Sequence, residues 1–432
     1  MSIELIKVRA WGILVGAVVL DPQRNFYAFQ YDPTWAQKGI ELAPRMMPVR
    51  DPQAFLFTNL DEETFHRLPG MLADAMPDHF GNALINAYMA QRGIGPESIT
   101  ALDRLAYMGK RGMGALEFQP VLGNRKDKDE TLEMQGLVEA ARQAVQGEIS
   151  TDKHAKSALA DLIRVGTSAG GARAKAVIAW NPGTQEIRSG QFEVGSGFEH
   201  WLLKFDGIED EALGSSKGYG RIEYAFHLMA RAVGIEMSDC RLLEENGRAH
   251  FMTRRFDRDG NFKHHTQTLC AMEHLDFKQA RVHAYEQAFA CTHRLGMGPD
   301  AVDQLFLRMA FNVMARNCDD HTKNLSFILK EGGEWNMAPA YDVAFAYKSG
   351  SPWVSQHQMS VNQKFDGITR EDLQNVADRF GVRRPNTLLG NVLAAVKTFD
   401  EFATKAKVSK ETMETISKQF VLLNPPVSPT PG

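Results

Sequence analysis

Cysteine is scarce: Cys240, Cys270, Cys291 and Cys318 are the only four in 432 residues, and none forms a C-x-x-C pair. That excludes a disulfide framework and a zinc-ribbon arrangement, and predicts reduced, buried thiols. Long apolar runs are missing too. The longest near the amino terminus, Trp11–Leu20, is only ten residues, too short to span a bilayer and suited to a buried strand. Acidic Glu4 follows the initiator Met and no small-residue cleavage site follows the run, so no secretory leader is expected. A cytoplasmic protein without a membrane partner is the expectation. Charge of one sign is absent as well. The formal net charge of −4 gives no general pull toward nucleic acid or anionic lipid. No internal repeat is found.

What is present is ordinary globular composition, 44% hydrophobic and 24% charged, in a chain long enough for two or three folding units. Apolar patterning predicts strands at Ile3–Val8, Ile13–Leu20 and Phe26–Phe29, the last two separated by the Asp21-Pro22 turn. A helix is expected over 70–92, broken or restarted at Pro77, and another from 101, followed by a glycine turn into the strand Ala115–Phe118. Polar, mixed-charge residues 121–133 read as a linker, followed by helices near 133–147 and 152–164. Strands are expected at Ala174–Trp180, Phe192–Val194, His200–Phe205, 240–244 and 248–253, with an amphipathic helix at 219–233. From 281 the pattern is mainly helical, with strand pieces only at Leu325–Leu329 and Trp335–Met337. The tail 424–432 (NPPVSPTPG) has the composition of a disordered segment. A strand-rich half therefore precedes a helix-rich half, with the changeover near Met252–Arg258.

The residues that carry chemistry begin at Asn317-Cys318-Asp319-Asp320-His321-Thr322-Lys323-Asn324, a polar octet between a helix expected at Val302–Ala315 and a buried strand. The step from Asp319 to Asn324 has the D-x-x-x-x-N spacing of kinase catalytic loops, in which the Asp accepts the substrate hydroxyl proton and the Asn holds Mg²⁺. Asp and Asn also favour caps and turns, so the spacing alone is weak. The hairpin Leu325–Met337 strengthens it, because it would return a second carboxylate, Asp342, beside Asn324 as the other metal ligand. His321 lacks a nearby zinc-ligand partner and is expected to brace the loop by a hydrogen bond.

A nucleotide-binding half should precede these residues. The loop from Gly166 to Lys175 is rich in glycine, so its backbone N–H groups could approach phosphates, although it is neither G-x-G-x-x-G nor Walker A. Lys204 ends an apolar strand and is followed 19 residues later by Glu223 on an amphipathic helix. A strand Lys paired to a Glu on the next helix is how protein kinases hold the α- and β-phosphates.

Together these motifs resemble the HipA family, the kinase toxins of bacterial toxin–antitoxin systems. The resemblance rests on D-D-H-x-K-N (319–324), P-x-Y-D (339–342), S-x-G-G-x-R-x-K (168–175) and R-F-D-R (255–258). Toward the amino terminus, L-P-G-x-L-A-D-x-x-P-D (68–78) and G-x-x-G-M-G-A-L (109–116) complete it, so that it spans about residues 5–400. It implies an α+β, two-lobed protein-kinase-like fold, with ATP between a strand-rich and a helical lobe. The implied domains are a coupling-type subdomain at 1–120, the rest of the upper lobe at 121–253, a helical lobe at 254–423 and the tail.

The resemblance further implies an ATP- and Mg²⁺-dependent serine/threonine kinase that phosphorylates a cellular protein, an aminoacyl-tRNA synthetase in several members, and arrests growth. Asp319 would be the catalytic base, Asn324 and Asp342 the Mg²⁺ ligands, and Lys204 with Glu223 the phosphate-holding pair. Ser168, Ala169, Gly170, Gly171, Ala172, Lys175, His321 and Lys323 would complete the nucleotide site, and Ser168 would be autophosphorylated, with Thr167 as a competing acceptor. A HipB-like helix-turn-helix antitoxin, and operator DNA through it, would be the partners. Two departures stand out: Arg173 where well-known members carry Gln, and Asp320 where some carry Gly. A small-molecule kinase of the aminoglycoside or choline type shares the D-x-x-x-x-N…D layout, and a non-catalytic antitoxin- or DNA-complex module is the alternative from another class. The coupling-type segment and phosphate loop disfavour the first, and the intact Lys204, Asp319, Asn324 and Asp342 disfavour the second.

Overall fold

The computed structural model describes residues 3–90, 92–122, 132, 134, 136–139, 141, 173–210, 214–215 and 217–424. Ser168, Ala169, Gly170, Gly171 and Ala172 lie outside these, as do the helix expected over 152–164, most of the one at 133–147, and the tail from 425. The chain divides into two units. The first comprises 1–220, 238–276 and 327–334, and the second 221–237, 277–326 and 335–432. Helix Tyr219–Ala232, which carries Glu223, thus falls almost wholly in the second unit, and the residues on either side of 253 stay together in the first.

In the first unit, strict alternation makes β1 (Leu5–Ala10): Ile6, Val8 and Ala10 are buried, and Lys7 is turned outward. It pairs antiparallel with β2 (Ile13–Asp21), which pairs with β3 (Phe26–Tyr31); β4 (Glu117–Gln119) closes the other side, giving the order β3-β2-β1-β4. Helix Gly70–Ala73 is capped at Asp74, and Pro77 lies in the break before another begins at His79–Ala90. The carboxylate of Asp78 accepts from the Gly81 N–H at 2.6 Å, capping the new helix.

A second antiparallel sheet of the same unit contains β5 (Lys175–Trp180), β6 (Ile187–Ser189) and β7 (Glu199–Lys204), with the hairpin Cys240–Glu245/Arg248–Arg254 beyond β7. All six residues of β5 are buried, as befits a strand covered on both faces. Phe192–Val194 is not a strand. The edge pairing is made by Ile187–Ser189 instead, and 192–194 follows as irregular chain whose Val194 N–H donates to Asn261 Oδ1 (3.1 Å).

The second unit is built on helices. Pro299–Met314 is its most deeply buried, with Leu305, Phe306, Met309, Ala310 and Phe311 fully enclosed. Phe226, from helix Tyr219–Ala232, packs edge-on against Phe311 and Phe399. Helices Tyr285–Arg294, Arg370–Phe380 and Pro385–Lys397 complete the frame. Beyond the expected strand pieces, a two-residue parallel pairing joins His283–Ala284 to Met359–Ser360.

Candidate active site

The octet 317–324 leaves the carboxyl end of the buried helix Pro299–Met314 and ends in a single 3-10 turn, Thr322–Asn324. Within it the Asn324 Nδ2–H donates to the main-chain carbonyl of Asp319 at 2.7 Å. That bond closes the six-residue loop 319–324 and leaves the Asn324 amide oxygen turned away from the tether. After the intervening hairpin, the Ala338 N–H donates to the Ser326 carbonyl at 2.9 Å, and the Tyr341 hydroxyl reaches the Lys323 carbonyl (2.6 Å) and the Ser326 hydroxyl. Asp342 is thereby returned to the loop, and Asn324 and Asp342 line one pocket together with Asp320, His321 and Asn317. Asp342 sits at φ +52°, a left-handed backbone that a non-glycine residue adopts at a cost, and such strain concentrates where a side chain must be aimed.

The Asp319 carboxyl is raised above the usual carboxylate range. The side chain keeps 41% of its surface open to solvent; partial loss of solvent, with the negative charges of Asp342 and Asp320 adding to it, raises the carboxyl against lowering by His321 and by the Trp353 hydrogen bond. Its Oδ1 accepts from the Trp353 indole N–H at 2.6 Å. His321 stands 3.8 Å from the same oxygen, outside hydrogen-bond reach, and its ring packs between Phe277 and Trp353. It therefore braces the loop by ring contact and not by the expected hydrogen bond. The ammonium of Lys323 lies over the Phe277 ring, 4.8 Å from its centroid.

Asp320, which lines the pocket with Asn324 and Asp342, is buried. It accepts from the Tyr285 hydroxyl (2.8 Å), His357 Nδ1–H (2.9 Å) and the Gln358 main-chain N–H (2.8 Å), while Asn312 donates to Tyr285. Burial and the neighbouring carboxylate push the Tyr285 phenol far up, so it remains a donor. Burial alone would lower His357, but the Asp320 carboxylate outweighs it and raises the imidazole to about 10. The sequence reading missed Tyr285, Trp353, His357 and Gln358. They lie 29–39 positions from the loop's residues or on irregular chain, and carry no spacing signal.

The upper-lobe residues are found in the first unit, except Glu223. Lys204 ends β7 opposite Phe251 and Lys175, its ammonium 5.7 Å from the Phe251 ring centroid. Lys175 is buried, with Nζ 3.1 Å from the buried Asp78 carboxylate. Glu223 is buried on its helix in the second unit. Arg173 stacks its guanidinium over the Tyr219 ring at 3.6 Å.

The remaining motifs meet each other in the first unit. Asp257 of R-F-D-R accepts from Arg255 (2.7 and 2.9 Å), from Arg258 and from the Gly114 N–H (2.8 Å), and both arginines donate to the Gly112 carbonyl. Gly114 is at φ +76° with Thr266 where a side chain would project. In L-P-G-x-L-A-D, the carboxylate of Asp74 accepts from the Thr268 N–H (2.7 Å) and hydroxyl (2.8 Å). A side chain at Gly70 would meet the Ala271 carbonyl at 2.6 Å.

These are the marks of an α+β protein whose signature motifs are spent on one loop site and on joining its amino-terminal segment to the strands that follow. The model of the HipA-like C-terminal domain matches residues 167–421, and that of the HipA N-terminal domain matches residues 6–119. The chain belongs to the HipA family. Among solved structures it is similar to the Shewanella oneidensis HipA chain in a complex of HipA, HipB and its operator DNA. That likeness has a TM-score of 0.67 at 16% identity over 96% of this chain and 94% of that one. A Helicobacter pylori proinflammatory kinase, CtkA, is matched at a TM-score of 0.33 and 10% identity, over 51% of this chain and 88% of that one. No curated sequence matches the chain. Among the described residues no helix is long and apolar enough to cross a membrane.

Proposed function

We propose that the chain is an ATP-dependent serine/threonine protein kinase acting as the toxin of a toxin–antitoxin pair. The observation that carries the reading is the loop itself: the Asn324 amide tethered to the Asp319 carbonyl, with Asp342 lining the same pocket. Phosphoryl transfer asks little covalent chemistry of a protein and much positioning. Asp319 would orient the acceptor hydroxyl and receive its proton. Its carboxyl is raised above the usual carboxylate range, the direction that favours accepting a proton.

The donor set fits a hard divalent cation. Asn324 commits its amide nitrogen to the loop and leaves its oxygen, and Asp342 adds a carboxylate, an all-oxygen pair of the kind Mg²⁺ takes alongside water and phosphate. When bound, Mg²⁺ would neutralise charge on the transferring phosphoryl group. Lys204 is assigned to the nucleotide phosphates. Lys175, which the sequence motif places by the nucleotide, is instead read as a structural partner of Asp78. A HipB-like antitoxin and a protein substrate follow from family membership in this reading, as does work in the cytoplasm.

The test uses purified protein with Mg·ATP labelled at the γ-phosphate, offered a cell lysate, with labelled proteins identified by mass spectrometry. Asp319→Asn should lower transfer by roughly 10²–10⁴-fold while ATP affinity holds, and Asp342→Ala should weaken Mg·ATP binding as well. Full transfer by either variant would refute the assignment. In the same incubation, modification at Ser168 would add about −1.5 to −2 charge to the glycine loop and should weaken ATP binding. A peptide containing Thr167 and Ser168 that stays unmodified while other proteins are labelled would remove self-inhibition from the proposal.

A further inference from the structure

We infer that Trp353 is the positioning residue for the base: its indole N–H holds one oxygen of Asp319 so that the other is presented to the acceptor hydroxyl. The inference rests on the kinase reading above and adds to it a residue that no motif contains. Oδ1 of Asp319 accepts from Trp353 Nε1–H at 2.6 Å, a short bond to an ionisable acceptor. No donor among the described residues reaches Oδ2. A free aspartate side chain turns about two bonds and offers either oxygen, whereas one anchored oxygen leaves a single oxygen and a single direction for the other.

Trp353 is itself held in place. The Ser351 hydroxyl accepts from the Trp353 and Val354 N–H groups (3.3 and 3.2 Å), and the Lys348 N–H closes the turn on the Val354 carbonyl (3.3 Å). Arg281 donates to the Pro352 carbonyl at 3.1 Å. The Gln358 side chain donates to the Trp353 carbonyl, while its own main-chain N–H donates to Asp320 Oδ1 at 2.8 Å. Asp319 and Asp320, adjacent in the loop, are thus both gripped by the short segment 353–358. The ring of Trp353 also packs near that of His321, their centroids 6.1 Å apart, so the indole cannot swing without disturbing the loop. Its N–H is spent on the Asp319 carboxylate at 2.6 Å, shorter than the 3.2 Å at which Trp201 donates to Glu199.

Two measurements test the inference, one independent of catalysis. The indole N–H resonance of Trp353, assigned by its loss in Trp353→Phe, should shift and exchange faster with solvent in Asp319→Ala. An unmoved resonance would overturn the contact whatever the enzyme's activity. In single-turnover transfer, Trp353→Phe should lower the rate about tenfold, as expected for losing one hydrogen bond to a charged group. The affinity for Mg·ATP should not change. Site-specific replacement of Trp353 by benzothienylalanine, which keeps the ring shape and lacks the N–H, should show the same loss even if the Phe variant folds poorly. Wild-type rates from both replacements would overturn the positioning role. A loss confined to Mg·ATP affinity would do the same. Absence of transfer by the wild-type protein would instead count against the kinase reading, with the resonance still deciding the contact.

Discussion

A glycine at position 320 could not do what the Asp320 carboxylate does. Asp320 is buried and accepts from Tyr285, His357 and the Gln358 main chain, so its burial cost is met by three donors. The charge that answers it is His357. Because the folded-state imidazole is raised to about 10 against an ordinary value near 6.5, folding binds a proton more tightly than the unfolded chain does. The stability it contributes is therefore fully present below about pH 6.5 and is lost as pH rises through about 10. His357→Gln should cost roughly 3 kcal/mol at pH 6, the scale of breaking a buried pair. Urea denaturation of both proteins at pH 6, 8 and 10 should show the gap closing with pH. A gap of constant size would mean that the pair is a neutral hydrogen bond. Trp353 belongs at this scale too, and neither it nor His357 was legible in the sequence, because a single side chain on irregular chain leaves no period to read.

Elements were legible where a local period or a breaker governs them. β1 and β2 follow their apolar runs and β3 its alternation, and Pro77 falls between the two helices. The loop around Asp319 was legible because its chemistry fixes the spacing of residues close in sequence. Phe192–Val194 was misread because a three-residue apolar alternation fits an irregular segment as well as a strand. What joins elements was not legible at all. Thr268 caps helix Leu269–Glu273 by accepting from the Ala271 N–H, and the remote Asp74 carboxylate holds Thr268 in place, a pairing 194 residues apart. Asp74→Ala leaves the Thr268 N–H and hydroxyl short of their acceptor and should cost about 1–3 kcal/mol. Thr268→Ala alone should cost about 1 kcal/mol as a lost cap, and the double variant should cost less than the sum of the two. Thermal denaturation of the three variants checks this, and strict additivity would show that the carboxylate does not act through the threonine.

At the scale of the whole molecule, the two family segments, 6–119 and 167–421, do not mark two folding units. Phe80 and Leu84, from the amino-terminal segment, lie in one hydrophobic core with Ala176, Ile178, Trp201, Leu203 and Met252 from the second sheet. The polar ties run the same way. Asp78 meets Lys175, and Asp257 with its two arginines encloses the chain at Gly112 and Gly114. Burial alone would raise the Asp257 carboxyl, yet Arg255 and Arg258 hold it well below the ordinary carboxylate range, so its contribution is complete at neutral pH and is lost only as acid is added. The first unit should consequently unfold as one body. Phe80→Ala removes a fully buried ring from the shared core and should cost roughly 3–5 kcal/mol. Hydrogen exchange followed by mass spectrometry gives the decisive reading. Peptides covering β1 and β5 should lose protection together and by the same factor, although only one of them shares Phe80's segment. If β1 loosened while β5 kept its protection, the amino-terminal segment would be an independently folded attachment, and the motifs 68–78 and 109–116 would serve something other than the union of the two sheets.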